Sequence, residues 1–378
     1  MFHEEHEMFR KSLRKMLEKE AYPYFNEWEK ARHIPRSFWE KLGVNGFLCP
    51  MVSEKYGGME LDFSYSMILT EELERVGAGL ASGIALHSDI VTPYIEAYGT
   101  EEQKKKWLPK SVTGELISAI AMTEPGAGSD LAGIQTVARK EGDFYILNGE
   151  KTFITNAIEC DYAIVVCKTD PQAQPAYRGI SLIVVEAGTE GFKKGKKLDK
   201  VGLHSADTGE LIFEDAKVPA KNLLGEEGKG FYYLMEKLQQ ERLIVAIEVL
   251  IEAEEMLNMT ISYVKNRKAF GSRIADFQNT QFKLAEMATE IDIGRTYVNA
   301  LVEKHIAGNE IVKEVSMAKW WLSDMAKRVA VECMQLHGGY GYMEEYEIAR
   351  RYRDIPVAAI YAGTNEIMKG IIAKQILK

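Results

Sequence analysis

Cysteine is scarce in this chain, and the four present, Cys49, Cys160, Cys167 and Cys333, share no paired spacing. That argues against a zinc ribbon, a redox dithiol or a disulfide framework, and fits a reduced compartment. No uninterrupted apolar run approaches the length of a membrane span. The opening MFHEEHEMFR lacks a basic stretch followed by an apolar core, so a cytoplasmic location is expected. A basic excess is missing too: the formal charge of -9 disfavours nucleic acid or an anionic membrane as main partner. The lysines that do cluster, Lys193, Lys194, Lys196, Lys197 and Lys200, read as a solvated turn rather than a polyanion site. His3 and His6 lie close together without a third ligand in view, so no metal is expected. Proline is absent between Pro219 and Pro356, which leaves that region free to form long helices.

What remains is a chain of 378 residues, 46% hydrophobic and 27% charged, enough for a globular protein of two or three domains. The first part is helical in pattern: Phe9, Leu13, Met16 and Leu17 share a face, and Trp39, Leu42 and Gly43 suggest a helix end. Further helices are predicted over Glu71 to Val76, Ile90 to Tyr98 and Glu101 to Leu108, with Ser88 or Thr92, Pro93 and Thr100 as start signals. Near Ile117 the texture changes to short β runs: Ile117 to Met122, Phe144 to Leu147, Thr152 to Thr155, Tyr162 to Cys167, Ile180 to Val185 and Glu210 to Phe213. Asn148-Gly149 between two of them reads as a hairpin turn, since that dipeptide tolerates positive φ. After Pro219 the predicted helices are Phe231 to Lys265, Phe277 to Ala307, Ile311 to Gly338 and Glu366 to Leu377, which should pack as a bundle.

One charge in the last region stands out. On a helix Leu234, Leu238, Glu241, Val245 and Val249 recur at three- and four-residue steps, so Glu241 falls in an aliphatic stripe. Desolvation there would raise its pKa and make it a stronger base once ionised, which suits removal of a proton from carbon. Arg242 points about 100° away on the helix and does not automatically neutralise it. A surface pair between Lys237 and Glu241 is the plain alternative.

Four segments carry further chemistry. Met122-Thr-Glu-Pro-Gly-Ala-Gly-Ser-Asp130 offers two glycines for close backbone approach and the hydroxyls of Thr123 and Ser129, as a polar planar ligand or a phosphate would need; a tight turn is the alternative. Arg267-Lys-Ala-Phe-Gly271 could set a guanidinium against pyrophosphate. Gln335-Leu-His-Gly-Gly339 closes a helix with a double glycine. Ile360-Tyr-Ala-Gly-Thr-Asn-Glu366 precedes the last helix, with Thr364 or Asn365 as cap.

In this order on a helix–β–helix chain, these four segments resemble the acyl-CoA dehydrogenase family over essentially the whole length. The resemblance implies an α+β fold with an N-terminal helical domain over 1–116, a middle β-barrel or sandwich domain over 117–227 and a C-terminal four-helix bundle over 228–378. It implies FAD in the cleft between the β domain and the helical domains, usually a homotetramer, and flavin-dependent α,β-dehydrogenation of a fatty acyl-CoA to the trans-2-enoyl-CoA in fatty acid β-oxidation, with electrons passed to electron-transfer flavoprotein. Many members place the catalytic glutamate directly before the Gly-Thr of the last motif; here that position is Ala362, which cannot accept a proton. In a minority branch, which includes the long-chain enzymes, the base comes from a segment like Gln239-Gln240-Glu241-Arg242-Leu243, so Glu241 inherits the role. Long-chain members carry glycine at the Ala362 position, and a small side chain should be tolerated there.

By the same resemblance Met122, Thr123, Gly128 and Ser129 approach the flavin ring, Phe153 covers it and Thr155 bonds to it. Arg267, Phe270, Gln278, Gln335, Gly338 and Gly339 touch the adenine half from a neighbouring subunit, and Thr364 and Glu366 reach it from the last motif. Ser129, Arg242, Ala362 and Gly363 are the acyl-CoA candidates, with the Ala362 N–H as oxyanion donor. Two competing readings are an acyl-CoA oxidase, disfavoured by the absence of a long additional carboxy-terminal domain, and a flavin- or acyl-CoA-binding homologue without catalysis, from which Glu241 separates this chain.

Overall fold

The computed structural model describes residues 2–377, so the outer limits of the expected first and last domains, Met1 and Lys378, lie outside the described residues. Helices open the chain: α1 (Glu4–Glu20), α2 (Phe25–Ala31), α3 (Arg36–Val44), α4 (Phe63–Val76), α5 (Ala78–Ala85), a π-helical turn (Leu86–Val91), α6 (Thr92–Tyr98) and α7 (Glu101–Val112). Helix α4 starts earlier than its apolar pattern suggests because the Asp62 side chain accepts from the Ser64 N–H at 2.8 Å and caps it. Thr100 starts α7, as the sequence indicates, and the structure adds Gln103, with which it caps the helix reciprocally. Ser88 and Thr92 start no helix: α5, the π turn and α6 run on from Ala78 to Tyr98, and the Thr92 hydroxyl donates back to the Ser88 carbonyl at 2.7 Å. The extra residue of a π turn rotates the following side chains relative to an α-helix, and such turns are frequent at functional sites.

The middle of the chain is one eight-stranded sheet: β1 (Ser118–Ala121), β2 (Val137–Glu141), β3 (Phe144–Thr155), β4 (Tyr162–Lys168), β5 (Ile180–Glu186), β6 (Phe192–Lys197), β7 (Thr208–Pro219) and β8 (Leu223–Leu224). The strands run in the order β6-β7-β3-β2-β4-β5-β8, and β1 pairs in parallel with β4. Two sequence expectations are corrected here. Asn148-Gly149 is no hairpin turn but lies inside the continuous β3, at an irregularity opposite β7. The Asn148 amide is spent on the Asp215 carboxylate at 2.9 Å, and Gly149 is needed because a Cβ there would lie 2.4 Å from the Thr136 hydroxyl. The lysine run is no turn either: Lys193 to Lys197 lie in the edge strand β6, pairing with β7 on one side only. Charged side chains on an edge strand discourage further strand addition.

The last third is helical: α8 (Gly230–Asn266), α9 (Gln278–Ile306), α10 (Val312–His337), α11 (Glu347–Asp354) and α12 (Asn365–Ile376). Between α8 and α9, β9 (Lys268–Ala269) and β10 (Ser272–Arg273) form a small hairpin. Helices α8, α9, α10 and α12 pack on one another, and α4 packs on α8. From Glu241 to Ala253 every residue of α8 is buried, because N-terminal helices lie on one side of it and bundle helices on the other. No helix among the described residues is long and apolar enough to cross a membrane.

Candidate active site

Glu241 is buried, as its place in the aliphatic stripe predicts. The Tyr94 hydroxyl, brought up by α6, donates to its Oε1 at 2.9 Å. Burial pushes the Glu241 carboxyl up to about 7, opposed by the Tyr94 hydrogen bond and the Arg242 charge, both of which favour the ionised form. A carboxylate poised near neutrality can both accept and later release a proton. The alternative surface pair with Lys237 does not form. Lys237 instead places its ammonium 5.5 Å from the centre of the Tyr98 ring and 4.0 Å from Glu236. On the Glu241 carboxyl, the second oxygen Oε2 is left without a hydrogen-bond partner among the described residues.

Arg242 ties this base to the turn before α12. Its Nε lies 3.5 Å from the Ala362 carbonyl, a long contact held more by charge than by a strong hydrogen bond. Ala362 is left-handed at φ 51° and Gly363 follows at φ 90°. Among the described residues neither the Ala362 nor the Gly363 N–H has a hydrogen-bond partner. Two consecutive free N–H groups on a turn of this kind form a concavity suited to an anion. The expectation that a small side chain is tolerated here holds for volume but not for backbone: alanine in the left-handed region costs about 1 kcal/mol relative to glycine. On the far side of the turn Thr364 caps α12, its hydroxyl accepting from the Ile367 N–H at 3.3 Å, while Glu366 is exposed in the first turn.

The Met122–Ser129 loop is fastened to β3. The Thr152 N–H donates to the Thr123 carbonyl at 3.0 Å, and the buried Lys151 ammonium bonds to the Met122 carbonyl at 2.9 Å and to Glu124 at 2.8 Å. This sets Met122 and Thr123 beside Lys151 and Thr152, next in β3 to Phe153. Phe153 is 68% exposed and left-handed at φ 58°. A bulky residue is rarely held that way in solvent without a ligand to cover. Among the described residues the hydroxyls of Thr123, Ser129 and Thr155 lack hydrogen-bond partners, and a Cβ at Gly126 or Gly128 would meet open space. A platform with unsatisfied hydroxyls and room for close backbone approach fits a polar planar group such as a flavin.

A third group lies where α8 and α10 end. Arg267, Gln335, Gly338 and Gly339 line a cleft of about 640 Å³ with Tyr263 and Tyr340. The Arg267 guanidinium sits 5.5 Å from the centre of the Tyr340 ring, and among the described residues no carboxylate pairs with it. Such a cation suits a pyrophosphate. Phe270 and Gln278, expected in the same place, do not line this cleft. Phe270 with Gly271 forms the two-residue turn between β9 and β10, both at positive φ, and its ring is 97% exposed; Gln278 opens α9 and is exposed. No described hydrogen bond or ion pair joins this group to the one around Glu241. Among the described residues no cluster of three or more His, Cys, Asp or Glu could hold a metal.

Sequence reasoning missed Tyr94, Lys319, Glu248 and Asp89. Glu248 alone had a signal, being seven residues after Glu241 and hence on the same helix face. Its carboxylate accepts from the Tyr361 hydroxyl at 3.0 Å, and burial raises its pKa. Lys319 of α10 is buried, with Nζ 2.7 Å from the Gly363 carbonyl and 3.3 Å from Asn365 Oδ1. The other two are brought in by the π turn and α6, whose packing on α8 no periodicity announces.

Comparison with known proteins gives this geometry a family context. Three models match successive parts of the chain: "Acyl-CoA dehydrogenase, N-terminal domain" over residues 3–115, "middle domain" over 119–216 and "C-terminal domain" over 228–377. The long-chain specific acyl-CoA dehydrogenase, mitochondrial, of Sus scrofa is 49% identical over 377 residues, spanning 100% of this chain and 87% of that protein. A 3-(aryl)acrylate reductase of Clostridium sporogenes is 40% identical over 380 residues, covering 100% of both. The crystal structure of an acyl-CoA dehydrogenase from Geobacillus kaustophilus superposes with a TM-score of 0.98 at 70% identity, covering 99% of this chain and 98% of that one.

Proposed function

The chain belongs to the acyl-CoA dehydrogenase family, oxidoreductases acting on CH–CH bonds, and from that premise we propose that it converts fatty acyl-CoA thioesters to trans-2-enoyl-CoA in fatty acid β-oxidation. Members of the family are FAD flavoproteins, and FAD when bound supplies the acceptor for the β-hydride. The observation that carries the reading is Glu241: a buried carboxyl with one oxygen fixed by Tyr94 and joined through Arg242 to a turn, the other carboxyl oxygen and two N–H groups of that turn being without partners among the described residues. Glu241 Oε2 takes the α-proton. The Ala362 N–H stabilises the charge that develops on the thioester oxygen, so the base and the oxyanion donor come from different elements and the loss of a glutamate at 362 costs nothing in charge stabilisation.

Met122, Thr123, Gly128, Ser129, Phe153 and Thr155 would hold the flavin ring, with Thr364 and Glu366 at its side. Arg267, Gln335, Gly338 and Gly339 would hold the pyrophosphate and adenine half. The separation of that second group from Glu241, together with a Phe270 ring left in solvent, supports its use by a second copy of the chain in a homotetramer, where Phe270 and Gln278 gain a partner. Ser129, Arg242 and Gly363 are the acyl-CoA contacts. Long chains are the favoured substrates, since the 49% identical relative carries that specificity, and electron-transfer flavoprotein is the acceptor. A cytoplasmic location accompanies this reading, as the four unpaired cysteines suggest.

The test is anaerobic bleaching of the flavin by acyl-CoAs of increasing length, in wild type and Glu241→Gln. Wild type is expected to bleach most with long chains. Glu241→Gln keeps its FAD and loses about 10²–10⁴ in rate. Near-wild-type bleaching by the variant would remove Glu241 from the mechanism, and a wild type that stays oxidised with every chain would reduce the protein to a binding homologue.

A further inference from the structure

Lys319 is a fully buried cation, and among the described residues no carboxylate lies within ion-pair distance of it. Its ammonium is satisfied by one backbone carbonyl and one amide oxygen, those of Gly363 and Asn365. Removing an ammonium from water costs several kcal/mol, and an apolar side chain of similar volume would serve packing better. What the cation touches suggests why it is kept. Arg242 and Lys319, from two different helices, reach the consecutive carbonyls of Ala362 and Gly363, while Glu248 holds the hydroxyl of Tyr361 just before them. Three charged or polar side chains thus grip three successive residues. The middle one, Ala362, is held in a backbone region that alanine avoids, and among the described residues its own N–H and the next one have no partner.

We propose that Lys319 is a positioning residue: by binding the Gly363 carbonyl, together with Arg242 and the Tyr361–Glu248 hydrogen bond, it keeps Ala362 left-handed and its N–H presented to the thioester oxygen. This rests on the activity proposed above. The two cations also place positive charge behind the turn, which favours an anion in front of it.

The experiment compares Lys319→Met and the double variant Lys319→Met, Ala362→Gly with wild-type holoenzyme. Turnover is measured with a long-chain acyl-CoA, and ionisation of the α-carbon with a 3-thia-acyl-CoA, which is not oxidised and reports its ionised form by long-wavelength absorbance. Lys319→Met should keep FAD, lower kcat by about 10²-fold, leave KM within about threefold and move the midpoint for ionising the analogue to higher pH. Glycine at 362, which adopts the left-handed region without strain, should recover at least about tenfold of the lost kcat in the double variant. Unchanged kcat and midpoint in Lys319→Met overturn the proposal, and so does a loss of kcat with the midpoint unmoved and no recovery by glycine, which assigns Lys319 to packing alone. Where Lys319→Met fails to fold or to keep FAD, Tyr361→Phe removes one hydroxyl from the same grip; a lowered kcat with a raised midpoint supports the proposal, and wild-type values overturn it. A wild type inert toward every acyl-CoA, with no ionisation of the analogue, overturns the activity and this role together, whereas an active wild type matched by the variants overturns the role alone.

Discussion

Tyr94 donates to one oxygen of Glu241, and that bond favours the ionised carboxylate against the burial that disfavours it. The balance sets the pH at which the base works. In Tyr94→Phe the hydrogen bond is lost while the ring still fills its place, so the Glu241 pKa rises above about 7. Because the base acts in its ionised form, a higher pKa means less active enzyme at a given lower pH. The acidic limb of kcat/KM against pH is therefore expected to move upward by about one unit, with roughly tenfold less activity near pH 6 and little change near pH 9. A limb that stays in place or moves downward would show that Tyr94 does not tune the base. Glu241 itself was legible, since a charge in an apolar stripe is visible at helical spacing. Its partner was not, because Tyr94 lies 147 residues away in sequence and meets it only through the packing of α6 on α8.

At the scale of elements, the long helices were readable because nothing interrupts their periodicity: α9 and α10 begin and end within one residue of the predicted Phe277 to Ala307 and Ile311 to Gly338. Strands gave less. Asn148-Gly149 carries the local chemistry of a turn, yet neighbours on both sides extend it into β3, and Thr136 packs where a side chain at 149 would go. The two interpretations predict different costs for Gly149→Ala. On a solvent-facing turn the change costs about 1 kcal/mol from the positive φ alone. Inside β3, with Thr136 Cα 2.7 Å from the added Cβ, backbone must shift as well, and about 2–3 kcal/mol is expected. Thermal melting of the FAD-loaded protein measures the difference: a drop of several degrees is expected, and a midpoint within a degree of wild type would mean that the sheet gives way there at little cost. The lysine run teaches the same lesson from the other side, since its charges suggested a turn while its place beside β7 makes it a strand.

Across the whole molecule, the order helical, β, helical followed from proline and periodicity, but the meeting of its buried acids did not. Glu74 on α4, Glu248 and Glu252 on α8 and Asp354 on α11 surround a cavity of about 20 Å³, room for about one water, beside Tyr361. Asp89 on the π turn adds to them, lying close enough to raise the Glu248 pKa further, and among the described residues neither of its own oxygens has a hydrogen-bond partner. Burial pushes Asp89 and Asp354 up to about 7. A carboxyl whose folded pKa lies above its unfolded one binds more protons when folded, so it contributes stability at low pH that is lost as pH rises through about 7. Two histidines act oppositely: desolvation lowers the buried His87 and the half-buried His305 to about 4, so between there and 6.5 the unfolded chain binds more protons and stability grows with pH. Above 6.5 the histidine contribution runs to completion, but burial also lowers Lys200 and Lys319 to about 8, so as pH approaches 8 the unfolded chain binds their protons better and they oppose the acids; a single-site variant is needed to read the acids alone. Asp89→Asn isolates one acid. Neutral at every pH, asparagine should gain on the wild type by about 2.5 kcal/mol between pH 5 and pH 8, the share falling between those two pH values of the cost of shifting one carboxyl from 3.8 unfolded to about 7 folded. Urea unfolding of both proteins at the two pH values reads this directly. Parallel curves would show that Asp89 ionises in the folded protein as easily as in water, and that the interior around the π turn is wetter than its burial implies.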